Sequence, residues 1–131
     1  MKHFIIDTNA ILRFLLNDIP EQKAIVEKIL VKAKNNEIKL TVPQIVIFEL
    51  NFILDKYYHF SKESIIETLK VVVSSDYLQI ESKDVFITAF FLYSTTSNSF
   101  VDCFLMGKVQ IEKAEFFTFD AKLKKEGTKE K

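Results

Sequence analysis

The segment Phe4-Ile5-Ile6-Asp7-Thr8-Asn9 joins a short apolar run to a carboxylate and two further polar side chains. A run of this length, followed by a polar turn, is typical of a short buried strand, and residues 10–16 after it, all apolar except Arg13, predict a helix. Outward from this segment, strands and helices are predicted to alternate along the chain. This order predicts an α/β fold, namely a three-layer α/β/α sandwich whose central, mostly parallel sheet has four to five short strands.

The boundaries of these elements follow from capping and breaking residues. Pro20 and Pro43 each predict the beginning of a helix, and three serines are predicted N-caps, namely Ser61, Ser82 and Ser99. Strands are predicted at residues 3–6, 40–42, 78–80 and 116–119, and a last short helix from Asp120 to Gly127. A chain of 131 residues favours a single domain. We expect that domain to cover residues 1–126, with a Lys-rich tail over residues 127–131.

Composition limits the class of protein. Hydrophobic residues make up 48% of the chain and include thirteen Phe, which predicts a packed interior rather than disorder. No apolar stretch approaches the roughly 18 residues that cross a bilayer, and the N-terminus lacks the pattern of a signal peptide. One cysteine, Cys103, fits a reducing cytoplasm. We therefore expect a cytoplasmic protein that has no membrane partner.

Four carboxylates border or interrupt the apolar runs. Asp7 and Asp120 each end such a run, whereas Glu49 and Asp102 lie inside one. Carboxylates are rarely buried unless they are paired or bind a metal, so their spread along the chain predicts one acidic cluster assembled by folding. Because no matching set of Cys and His ligands accompanies them, the predicted cofactor is a hard cation, Mg²⁺ or Mn²⁺.

Each acidic position also has an ordinary structural explanation. Asp7 and Asp120 follow strands and precede helices, so either could be an N-cap, although ligands also bind at the carboxyl ends of parallel strands. For Glu49 and Asp102 the alternative is a buried salt bridge to Arg13 or a Lys. Helical spacing predicts that Glu49 lies on the buried face of its helix, together with Ile45, Phe48, Phe52 and Ile53.

Four short motifs resemble those of PIN domains, in particular the branch of VapC-type toxins. They occur in the family's order and span nearly the whole chain. The motifs are Phe4-Ile5-Ile6-Asp7-Thr8-Asn9, Val46-Ile47-Phe48-Glu49-Leu50, Ser99-Phe100-Val101-Asp102-Cys103 and Phe117-Thr118-Phe119-Asp120-Ala121-Lys122-Leu123.

The resemblance implies a function as well as a PIN-like fold. It implies a metal-dependent endoribonuclease that acts as the toxin of a type II toxin–antitoxin pair, usually a homodimer silenced by a small antitoxin protein. By position, the catalytic and metal-binding carboxylates would be Asp7, Glu49, Asp102 and Asp120. The supporting polar residues would be Thr8, Asn9, Ser99 and Thr118.

The chemistry of the residues agrees with that function. Several carboxylates cannot share a small site and all stay ionised without a cation. We expect Asp7, Asp102 and Asp120 to hold the metal or its waters, and Glu49 to orient or deprotonate the attacking water.

Contacts to RNA are harder to place, because the net charge of the chain is zero. Local contacts to RNA phosphates are predicted at Lys122, Lys124 and Lys125, although these lysines could instead complement a helix dipole. Tyr57 and Tyr58 could stack on bases, or they could simply complete a helix face.

Other classes of function stay open. A PIN-fold nuclease could act outside a toxin–antitoxin pair, in RNA processing or on DNA. A phosphoacceptor signalling domain would need adjacent acidic residues after the first strand. This chain has Asp7-Thr8-Asn9 there, with a single acidic residue. A non-catalytic binding module would be indicated by a missing carboxylate, and none is missing.

Overall fold

The computed structural model describes residues 1–127, so residues 128–131 of the predicted Lys-rich tail lie outside the described part. The chain folds as two compact units, Met1–Glu81 and a second that begins at Ser82. The single domain expected over residues 1–126 stays a prediction. No helix in the described residues is long and apolar enough to cross a membrane.

The first unit contains a parallel sheet of three strands. These are β1 (Lys2–Ile5), β2 (Ile38–Val42) and β3 (Gln79–Ile80), in the order β1-β2-β3. The register pairs Lys2 with Ile38 in β1 and β2, and Thr41 with Gln79 in β2 and β3. Parallel strands all have their carboxyl ends at the same edge of the sheet, and ligands bind at this edge in α/β folds. Asp7 follows β1 at this edge.

Two pairs of helices connect these strands. β1 leads through α1 (Thr8–Leu16) and α2 (Pro20–Lys34) to β2, and β2 leads through α3 (Gln44–Lys56) and α4 (Lys62–Val73) to β3. As predicted, Pro20 opens α2, where its missing N–H costs no hydrogen bond. Ser61 caps α4 by accepting a hydrogen bond from the Ser64 amide at 3.1 Å.

The core of the first unit lies between β2 and its neighbouring helices. Alternate residues of β2 are buried, as the two-residue period of a strand requires. The buried side chains of α3 are Val46, Ile47, Leu50 and Leu54. The predicted buried face of α3 is therefore wrong, since Ile45 and Phe52 are exposed. α3 carries apolar residues on two adjacent faces, and helical spacing alone does not tell which face meets the core.

β1 also differs from its prediction. It forms as expected, but it lies at one side of the sheet and Ile5 is exposed. Ile6, directly after the strand, is buried. β1 is an edge strand with one hydrogen-bonded neighbour, so its side chains are less buried than the apolar run predicted.

In its described residues, 82–127, the second unit contains three helices, α5 (Lys83–Thr95), α6 (Phe100–Glu112) and α7 (Ala121–Gly127). An aromatic cluster fills the contact between α5 and α6, where the ring centroid of Phe86 lies 4.9 Å from that of Phe104 and 6.0 Å from that of Phe100. Gly107 makes this approach possible. A Cβ atom at residue 107 would lie only 3.3 Å from the carbonyl oxygen of Val85.

The predicted strand over residues 116–119 is wrong. This segment is not a strand, and the sheet of the described residues has three strands rather than four to five. Phe117 and Phe119 are 90% and 98% exposed, and their rings pack edge to face on each other. Aromatic residues favour a strand only where a paired neighbour and a buried face accept them. The α/β class and the parallel sheet are confirmed, whereas the three-layer arrangement stays a prediction.

Candidate active site

Asp7 lies two residues after the end of β1, where the chain turns into α1. Its Oδ1 accepts a hydrogen bond from the Ala10 amide at 2.9 Å, so Asp7 is the N-cap of α1. Its side chain is exposed, and within residues 1–127 Oδ2 has no hydrogen-bond donor. The N-cap explanation is therefore correct in geometry, and it leaves one carboxylate oxygen free for a ligand.

Thr8 connects this turn to Glu49 in the middle of α3. The Thr8 side chain is the buried polar group of the first unit, and its Oγ1 donates a hydrogen bond to Glu49 Oε1. Because Thr8 directly follows Asp7, this bond links α3 to the turn that carries Asp7. Glu49 itself is exposed rather than buried, which corrects its predicted environment.

The salt-bridge alternative does not hold in the part of the chain that the structure describes. Arg13 pairs with Asp18, with Nη1 and Oδ2 2.9 Å apart. None of the ion pairs of residues 1–127 includes Asp7, Glu49, Asp102 or Asp120. The four carboxylates therefore have no neutralising cation from a side chain there.

Asp102 lies in the first turn of α6, in the second unit. Ser99 caps this helix as predicted, because its Oγ accepts a hydrogen bond from the Asp102 amide at 3.1 Å. The Asp102 side chain is half-buried, and the positive end of the helix dipole favours its charge.

Asp120 lies directly before α7 and is exposed. Its Oδ1 accepts a hydrogen bond from the Leu123 amide at 3.0 Å, so it occupies the position of an N-cap. Its own amide donates to Thr118 Oγ1 at 3.1 Å. Thr118 thus fixes the backbone from which the carboxylate extends.

Two hydrogen bonds connect the loop before α6 to α7. Asn98 Nδ2 donates to Glu126 Oε2, and Lys122 Nζ donates to Ser97 Oγ at 3.1 Å. They tie together the two elements that carry Asp102 and Asp120. Sequence reasoning missed Asn98 and Glu126, because nothing in the sequence distinguishes Asn98 from the other polar residues of its loop.

Comparison with known proteins supplies the family. A sequence profile of the PIN domain matches residues 4–127. The chain belongs to the PIN domain family. A VapC ribonuclease of Aquifex aeolicus (strain VF5) is 29% identical to this PIN domain over 128 residues, which cover 95% of the chain and 93% of the relative. The profile match spans all four acidic motifs, so the predicted family is confirmed and the phosphoacceptor alternative is disfavoured.

The remaining predicted residues of this PIN domain lie around the same elements. Asn9 is exposed and makes no hydrogen bond through its side chain within residues 1–127. Lys124 and Lys125 lie in the last turn of α7, where cations complement the helix dipole. Lys122 contacts Ser97, as described above. Both explanations for these three lysines therefore stay open.

The donor atoms of this PIN domain suit a hard cation. In the described residues no three His, Cys, Asp or Glu side chains form a group that could hold a metal. However, the carboxylates beside Thr8 each keep one oxygen without a hydrogen-bond donor in that part of the chain. Mg²⁺ takes one or two protein carboxylates and keeps several waters, and carboxylate oxygens are the donor atoms that it prefers.

Proposed function

We propose that this chain is a metal-dependent endoribonuclease that acts as the toxin of a type II toxin–antitoxin pair. Membership of the PIN family and similarity to a protein named VapC ribonuclease support the class of reaction. The observation that supports the proposal is the hydrogen bond from Thr8 to Glu49, because it links α3 to the residue that directly follows Asp7 after β1.

In the proposed reaction, Asp7, Asp102 and Asp120 would hold the metal or its bound waters. Mg²⁺ or Mn²⁺, when bound, would lower the pKa of a water and stabilise charge on the phosphate. Glu49 would orient a water and accept its proton while the water oxygen forms a bond to phosphorus. The bond from phosphorus to the leaving oxygen then breaks. Thr8 would keep the Glu49 carboxylate in position, with Asn9, Ser99 and Thr118 as supporting groups.

RNA would bind through local contacts, because the chain has no net charge. Lys122, Lys124 and Lys125 follow Asp120 and would contact neighbouring phosphates. The proposed partners are an RNA substrate, a small antitoxin protein and a second copy of the chain in a homodimer. The proposed compartment is the cytoplasm.

Cleavage of a mixed set of labelled RNAs tests the reaction. The purified chain is assayed with Mg²⁺, with Mn²⁺ and with EDTA, beside an Asp102→Asn variant. Asp76→Asn is the matched control, because Asp76 is an exposed loop residue and the substitution removes the same charge. We expect cleavage that needs metal, is lost in Asp102→Asn and is unchanged in Asp76→Asn.

Cleavage that persists in EDTA, or that is equal in Asp102→Asn and the unsubstituted chain, would contradict the proposal. The toxin role is tested separately by expression in a bacterial host. We expect growth arrest that Asp102→Asn abolishes and that co-expression of the adjacent antitoxin gene relieves. Light scattering after size exclusion then tests the homodimer.

A further inference from the structure

Glu81 lies directly after β3, at the carboxyl edge of the sheet in the first unit. Its backbone amide donates a hydrogen bond to the Val42 carbonyl oxygen at 3.1 Å, and its Oε1 accepts one from the Gln44 amide at 2.9 Å. Val42 is the last residue of β2, and Gln44 is the first residue of α3. Glu81 therefore bonds to the chain on both sides of Pro43, where β2 turns into α3.

The first turn of α3 needs a cap that its own sequence does not provide. Ser61 and Ser99 accept hydrogen bonds from the first turns of α4 and α6, but Pro43 holds the same position before α3 and makes no such bond. A proline side chain has no acceptor atom. The Glu81 carboxylate supplies the acceptor from 37 residues away, and its charge suits the positive end of the helix dipole.

The same helix carries Glu49, the proposed acceptor of the water proton. Glu49 follows Gln44 by five residues, which is about 7.5 Å along a helix. Its Oε1 accepts the hydrogen bond of Thr8, in the turn that follows β1. α3 is thus bonded at its start to Glu81 and in its middle to Thr8.

Packing and hydrogen bonding hold α3 in different ways. Its buried side chains are apolar, and the hydrophobic effect has no preferred direction. The hydrogen bonds at Gln44 and Glu49 depend on direction as well as distance, so they set how the helix lies against the end of the sheet. Without the bond at Gln44, the first turns of α3 would be free to shift while the core keeps the helix folded. A shift of about 1 Å is enough to slow a reaction about 100-fold.

We propose that Glu81 is a positioning residue for Glu49. It fixes the first turn of α3 and thereby sets where the Glu49 carboxylate stands beside the attacking water. Glu81 acts through α3 and contacts neither the metal nor the RNA. The inference rests on the proposed function and adds to it a residue from outside the four acidic motifs.

Steady-state cleavage of RNA by the full chain with Mg²⁺ tests this role. Glu81→Ala removes the acceptor, whereas Glu81→Gln keeps an oxygen that can accept from the Gln44 amide. Ser61→Ala is the matched control, because it removes the N-cap of α4, a helix that carries none of the four carboxylates. Melting temperatures from circular dichroism compare the loss of stability in these variants.

We expect Glu81→Ala to lower kcat about 10-fold with KM unchanged, because Glu49 acts in the transition state. Glu81→Gln should keep kcat within about 2-fold, since the bond loses only its charge. Glu81→Ala and Ser61→Ala should each lower the melting temperature by about 2–8 °C, as the loss of a helix cap does. Ser61→Ala should nevertheless keep full kcat.

A second pair of variants removes the donor instead of the acceptor. Gln44→Pro has no amide hydrogen to give to Glu81, and proline is well tolerated as the first residue of a helix, so this variant should fold. Gln44→Ala loses the same side chain but keeps the amide. We expect Gln44→Pro to lower kcat as Glu81→Ala does, and Gln44→Ala to keep it.

Unchanged kcat in Glu81→Ala or in Gln44→Pro would overturn the positioning role. So would an equal loss of kcat in Ser61→Ala, which would show a general effect of stability. A loss in Glu81→Gln as large as in Glu81→Ala would also overturn it, and would assign Glu81 a direct contact with metal or RNA. These outcomes leave the proposed function intact while the unsubstituted chain cleaves RNA with metal. Absence of cleavage by the unsubstituted chain would overturn both proposals.

Discussion

The two units hold their acidic residues in different ways. In the first unit a hydroxyl on α1 bonds directly to the Glu49 carboxylate, one residue after Asp7. In the second unit Asp102 and Asp120 lie on separate elements, and the connecting bonds run between other residues, Asn98 to Glu126 and Lys122 to Ser97. The Glu49 carboxylate is thus held by a side-chain hydrogen bond in the first unit, whereas helix packing and loop contacts hold the elements of Asp102 and Asp120 in the second.

The largest expected effect is on packing in the second unit. Phe86 is fully buried in the aromatic cluster, so Phe86→Ala should lower the free energy of unfolding by about 3–5 kcal/mol. Leu54→Ala in the first unit is the matched variant, with an expected loss of about 2–5 kcal/mol. Urea unfolding followed by circular dichroism measures both.

These two variants also test the predicted single domain. If the units unfold together, both substitutions shift one cooperative transition. Two separate transitions, each shifted by only one of the substitutions, would contradict a single domain.

The second largest effect is expected on RNA cleavage when the N-cap residues Asp7 and Asp120 lose their charge. These substitutions separate helix capping from the proposed catalysis in both units. Asp7→Asn and Asp120→Asn remove the charge but keep a good N-cap residue, so stability should change by less than about 0.5 kcal/mol. The rate of RNA cleavage should fall by at least about 100-fold in each, since loss of even an outer partner of a metal costs 10- to 100-fold. Initial rates and thermal unfolding measure the two quantities. Full activity in either variant would remove that aspartate from the proposed site.

A smaller effect is expected at Thr8, the contact particular to the first unit. Thr8→Val keeps the shape of the side chain and removes the hydroxyl, so Glu49 loses its hydrogen bond and the cleavage rate should fall about 10-fold. Thr8→Ser keeps the hydroxyl and should keep most of the activity. Equal rates in Thr8→Val and the unsubstituted chain would show that Glu49 needs no such support.

The smallest effect is expected at Asn98 in the second unit. Asn98→Ala removes the donor to Glu126 and should lower stability by about 1 kcal/mol. Glu126→Gln is the matched control, because the amide oxygen still accepts from Asn98. Hydrogen exchange of the α7 amides should accelerate in Asn98→Ala and not in Glu126→Gln. The same exchange rates in both variants would contradict a role for this bond in holding α7.

Local chemistry made much of this molecule predictable. Pro20, Ser61 and Ser99 act through their own neighbours in sequence, and each marks the beginning of a helix as predicted. The acidic positions were identifiable because a charge within an apolar run is unusual. Their assignment to one active site remains a proposal.

Contacts between distant residues were not predictable. The exposed face of α3 and the absence of a strand over residues 116–119 depend on which surfaces meet in the fold, and the sequence pattern is the same for either outcome. The bond from Asn98 to Glu126 joins residues 28 positions apart. No local signal marks such a pair.

Gly107 gives α6 a property that an engineer could use. The close approach of α5 and α6 depends on the absence of a side chain at residue 107. Gly107 lies five residues, or about 7.5 Å along the helix, from Asp102. A side chain at residue 107 would press on the backbone of α5 at Val85, so we expect substitutions of increasing size to push α6 away from α5. Residue 107 is therefore a position at which the spacing of the two helices could be changed in steps, without replacing any of the four acidic residues.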